Sequence, residues 1–85
     1  MNIESNLPFE EQDNIRIFDQ DVDEMELVWH RDREDRIVEA LETTDWMFQL
    51  DNNLPQRLEK IFIPKDTYHR VIKGSGNLKV KVTKL

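Results

Sequence analysis

The strongest constraint on the fold is a succession of short apolar segments, each closed by turn-forming residues before it is long enough for a stable helix. The clearest is Leu78-Lys79-Val80-Lys81-Val82, where apolar and basic side chains alternate. That period of two marks a strand with one face buried and the other in water. Ile61-Phe62-Ile63 is a second strand, stopped by Pro64, whose ring fixes φ and removes a ladder donor. Trp46 to Leu50 is a third, closed by Asp51-Asn52-Asn53 and Pro55. Tyr68 to Ile72 is a fourth, followed by Gly74-Ser75-Gly76, a turn that can supply positive φ.

The first half of the chain is less regular. Residues 1–13 read as a flexible acidic arm, and the folded domain is expected over 14–85. Ile15 and Ile17 open a short strand that the acidic run Asp19 to Glu24 interrupts. Met25 to His30 has the β-branched and aromatic content of a strand. Ile37 to Leu41 suits a strand or a helical turn, and Gln56 to Lys60 a connection or one helical turn. Six or seven short strands at this spacing predict an all-β sandwich or barrel, and closing the sheet removes exposed edges.

Length and composition narrow the functional classes. With 85 residues there is room for one domain. Charged residues make up 35% of the chain and hydrophobic ones 38%, so a dimer interface or a bound metal is expected to add stability. The chain has no cysteine, so any metal must be held by histidine and carboxylate; a reducing compartment, the cytoplasm by default, is expected. No apolar run is long enough to cross a membrane. A net charge of -6 argues against general nucleic-acid binding, which depends on cations neutralising phosphates. Acid is concentrated in the first half and base near the end, which either keeps a small protein soluble or steers an anionic ligand or a second copy.

Chemistry concentrates at the two histidines, in Trp29-His30-Arg31-Asp32 and Tyr68-His69-Arg70. On an extended strand His30 and Asp32 project to one side, Trp29 and Arg31 to the other. If His69 faces the first pair, two imidazoles and one carboxylate form the facial set that suits non-haem Fe(II) and leaves positions open. The plainer alternative is that both histidines are packing residues with one satisfied hydrogen bond each. Gln49 points inward as a polar pocket group or outward to solvent, and Arg70, Lys73 and Lys79 are candidate counter-charges for a small anionic ligand.

These segments resemble the motifs of the cupins, the double-stranded β-helix superfamily. Pro64-Lys65-Asp66-Thr67-Tyr68-His69 is similar to the family's Pro-x-Gly-x-x-His, with Asp66 in place of Gly. His30-x-Asp32 resembles the His-x-Asp of the JmjC-like and 2-oxoglutarate oxygenase branch. The resemblance covers about residues 25–85. It implies a small cupin-type jelly-roll barrel, closed alone or completed by dimerisation, with a divalent metal inside on His30, Asp32 and His69. In the oxygenase branch 2-oxoglutarate would be a cosubstrate, its distal carboxylate held by Lys79 or Lys81. Three positions depart from the pattern: the glutamate ligand falls at Arg36 or Ile37, the glycine before Pro64 at Leu58, and the asparagine after the second histidine at Lys73. The sequence therefore supports two functions: a metal-binding cupin, oxygenase-like with Fe(II), and a non-catalytic cupin-like binding or dimerisation module without metal.

Overall fold

In the structure, a computed structural model that describes residues 8–85, eight strands form two antiparallel sheets. In chain order they are β1 (Glu10–Gln12), β2 (Ile15–Phe18), β3 (Arg36–Ala40), β4 (Met47–Leu50), β5 (Gln56–Arg57), β6 (Lys60–Ile63), β7 (His69–Ile72) and β8 (Leu78–Lys84). The larger sheet has the order β1-β2-β8-β3-β6 and the smaller β5-β4-β7. A single antiparallel bridge, His30 to His69, adds the segment around residue 30 beside β7. The only helical element among the described residues is one 3-10 turn, Glu24–Glu26.

The pairing is nested. β2 pairs with β8, residue 30 with β7, β3 with β6, and β4 with β5. Two further ladders, β3 with β8 and β4 with β7, join these pairs into the two sheets. The alternation of β8 is realised residue by residue: Leu78, Val80 and Val82 are buried, and the lysines between them face solvent. From the same sheet Phe18, Val38, Ile61 and Ile63 join them in the core, and Trp46, Phe48 and Leu58 come from the opposite side. Trp46 is fully buried, and its indole N–H donates to the Gly76 carbonyl at 3.0 Å, so the largest core residue leaves no unmet donor. Gly74 lies against this corner, where a Cβ would collide with the Asp45 carboxylate and sit 2.7 Å from the Trp46 nitrogen.

Three expectations need correction. Met25 to His30 is not a continuous strand. Asp23 accepts a hydrogen bond from the Met25 backbone N–H and so caps the 3-10 turn, leaving one bridging residue at His30. A local side-chain cap has outcompeted β propensity. Part of the stretch 1–13 expected as an arm is a strand. Residues 1–7 lie outside the described residues, but Glu10–Gln12 pairs with Gln12↔Ile15 in register, through a turn with positive φ at Asp13 and Asn14. Finally, Gln56 to Lys60, expected as a connection or one helical turn, begins as β5, fixed by its ladder with β4; for 37–41 the strand alternative holds, as β3.

Candidate metal centre

β7 and the residue-30 segment position the two imidazoles. His30 and His69 are direct partners, each backbone N–H donating to the other's carbonyl at 3.0 and 2.8 Å. Side chains of directly opposed residues share a face, and the ring centroids are 4.3 Å apart in an edge-on arrangement. His69 is 3% exposed and stacks on Phe48 at 5.6 Å; His30 lies at the open edge and is exposed.

Both rings are held by the same local device. The Nδ1 of His30 lies 3.1 Å from the Val28 carbonyl, and the Nδ1 of His69 lies 2.8 Å from the Thr67 carbonyl. A carbonyl only accepts, so Nδ1 carries the proton and Nε2 presents a lone pair, the arrangement a metal ligand requires. Burial pushes the His69 pKa below its ordinary value, and nearby His30 and Arg36 add to this. The Thr67 hydrogen bond and the Asp32 charge oppose it. The neutral imidazole is therefore favoured at neutral pH.

Asp32 completes the group. Its Oδ1 is 3.4 Å from Arg36 Nη1, and its Oδ2 is 3.3 Å from His69 Nε2. That Oδ2 is buried and has no hydrogen-bond donor. An anionic oxygen thus faces a lone pair, a contact that a cation lying between them would relieve. The separation is one that two ligand bonds of about 2.1 Å to a common ion span. One ligand atom from each of His30, Asp32 and His69 lies within 4.8 Å of the others, so the group can hold a metal ion.

Residues expected to carry ligand chemistry elsewhere are placed differently. The Nε and Nη2 of Arg70 donate to Gln49 Oε1 at 3.0 and 2.9 Å, on the outer face of the smaller sheet. Lys73 Nζ donates to the Val22 carbonyl at 2.8 Å, and Lys79 is one of the exposed residues of β8. None of the four lines the cavity beside the histidines. Its cations are Arg16 and Arg36, which sequence reasoning missed. The available signal was alternation: Arg16 precedes inward Phe18 by two residues, and Arg36 precedes inward Val38 by two. The cavity is about 40 Å³ and, apart from the two histidines, Asp32 and the two arginines, is lined by apolar side chains, including Phe48, Val71 and Val80.

A backbone bond ties the two motif regions together. Asp66 N–H donates to the Asp32 carbonyl at 2.7 Å, and Asp66 has φ 61, a conformation glycine adopts freely and aspartate tolerates.

No protein-family model and no curated protein matches the chain. Among solved structures it is similar to the crystal structure of protein NMB1881 from Neisseria meningitidis, with a TM-score of 0.54 at 16% identity, covering 100% of this chain and 97% of that one. At that identity the likeness concerns the fold alone.

Proposed function

We propose that the chain is a small cupin-type jelly roll that binds one divalent metal, Fe(II), through His30, Asp32 and His69, and presents it to a small ligand in a reducing compartment such as the cytoplasm. Three nested strand pairs and the His30–His69 bridge, divided between two sheets, support the jelly-roll reading, as does left-handed Asp66 at the position of the motif glycine. The observation that carries the metal is the buried, donor-less Asp32 Oδ2 facing the His69 Nε2 lone pair. Two histidines and one carboxylate are the set that suits Fe(II) with open positions. The bound metal would supply Lewis acidity or dioxygen activation.

The chain's own residues divide the remaining tasks. Val28 and Thr67 carbonyls fix the imidazole tautomers, Arg36 turns one carboxylate oxygen away so that the other faces inward, and Phe48 packs against one face of the His69 ring. A cavity of about 40 Å³ has room for about three waters at ~10–15 Å³ each. This volume favours a compact ligand over 2-oxoglutarate. A non-catalytic, metal-free module is the second reading, and it is favoured by Arg36, a cation standing where the family has its glutamate ligand.

Cobalt(II) titration of the metal-free protein separates the two. Metal binding predicts saturating visible d–d absorption at one equivalent, abolished in Asp32→Asn; a featureless titration would leave the metal-free module.

A further inference from the structure

The side of the smaller sheet facing away from the metal group carries an unusual set of exposed side chains. Residues 29 and 31 flank His30, and residues 70 and 68 stand opposite them across the bridge. The Arg70 guanidinium lies over the Trp29 ring at 4.8 Å, and that of Arg31 over Tyr68 at 5.3 Å. Arg70 is further fixed by its two bonds to Gln49. Trp29 and Tyr68 remain 39% and 42% exposed. Tryptophan, tyrosine and arginine are the residues that dominate binding hot spots, and here their side chains are ordered in advance, which lowers the entropy lost on binding.

In a chain with 18 acidic residues and a net charge of -6, neither Arg31 nor Arg70 has a carboxylate at ion-pair distance among the described residues. The complementary charge lies close by. The loop 19–26 exposes Asp19, Asp21, Asp23, Glu24 and Glu26, none with a cationic partner among the described residues. This loop leads directly into Trp29, and Lys73, just beyond β7, holds it through the Val22 carbonyl. Met25, within the loop, and Val28, just before Trp29, are 83% and 59% exposed and add apolar surface to these charged parts. An acidic and a basic part side by side on one surface form a self-complementary patch, the requirement for an isologous two-fold contact.

We propose that this surface is a two-fold interface between two copies of the chain, with the acidic loop 19–26 of each copy lying over Trp29, Arg31 and Arg70 of the other. The inference is independent of metal binding, because it uses the opposite face of the sheet.

Sedimentation equilibrium of the full chain, at several concentrations and at low and high salt, provides the test. The wild type is expected to form a dimer that weakens with salt. Arg70→Glu, and separately the pair Asp21→Lys and Glu24→Lys, should each raise the dimer Kd by about tenfold or more. The two loop side chains make no hydrogen bond or ion pair among the described residues, so that variant keeps the fold even if Arg70→Glu disturbs it. Mixing the two variants should restore a heterodimer, because reversed charges meet at one contact and native charges at the other. A wild type that stays monomeric, a dimer indifferent to both reversals, or a mixture that fails to associate would each overturn the proposal.

Discussion

The two histidines stand in near-identical local sequences, Trp29-His30-Arg31 and Tyr68-His69-Arg70, yet their surroundings differ. His69 belongs to a full strand paired with β4, stacks on Phe48 and is buried. His30 is a single bridging residue beyond a 3-10 turn and is exposed. The same triplet thus supplies a rigid half-site and an open one. What separates them is how many neighbours each inherits from the fold, and a metal held on this group would have a buried ligand in His69 and an exposed one in His30.

The comparison is broken most directly by truncating each imidazole in the metal-free protein. His69→Ala removes a packed core ring and should cost about 2–4 kcal/mol in urea unfolding. His30→Ala at the exposed edge should fall within about 0.5 kcal/mol of wild type. Equal losses would mean that the two positions are not distinguished by burial.

Arg36 bears on the buried half alone. It is a positioning residue: its guanidinium engages Asp32 Oδ1 and, at 2.6 Å from Nε, the Glu34 carboxylate. Arg36→Met should weaken metal affinity about 10–100-fold, the usual effect of losing a partner that orients a ligand. Arg36→Lys should recover part of it in the same cobalt titration. Unchanged affinity in Arg36→Met would remove Arg36 from the account.

A smaller effect, of opposite sign, is expected at Asp32. Asn at this position can donate a hydrogen bond to His69 Nε2 where the carboxylate meets a lone pair. Asp32→Asn should therefore be neutral to stabilising by up to about 1 kcal/mol without metal, although it abolishes metal uptake. A large destabilisation would show that the carboxylate is already satisfied.

The pH dependence follows from the lowered pKa of His69. Between the folded value and the ordinary 6.5, the unfolded chain takes up a proton that the folded chain resists. Stability from this group is complete above that ordinary value and is lost as pH falls through it towards the folded value. His69→Gln should flatten this part of the metal-free stability profile, and a slope that persists would place its origin elsewhere.

Much of this architecture is legible in the sequence, for reasons that differ by element. β8 alternates cleanly because one face meets the core and the other water, and β4, β6 and β7 are bounded by turn residues. The segment before His30 is not legible from composition, because its conformation depends on the Asp23 cap and not on the propensities of Met25 to Trp29. At the site, the grouping of His30, Asp32 and His69 follows from the His-x-Asp and distant His pattern. The carbonyls that set the tautomers and the inward turn of Arg36 depend on register, which pairing partners determine. Arg70 and Gln49 fall on the outer face for the same reason: each alternates with an inward residue, Val71 and Phe48.

The central claim is tested most directly by elemental analysis of the protein by plasma mass spectrometry, after anaerobic incubation with Fe(II) and desalting, beside His30→Ala. The account predicts close to one iron per chain in the wild type and a clear loss in the variant. Absence of iron from both, or equal iron in both, would contradict it.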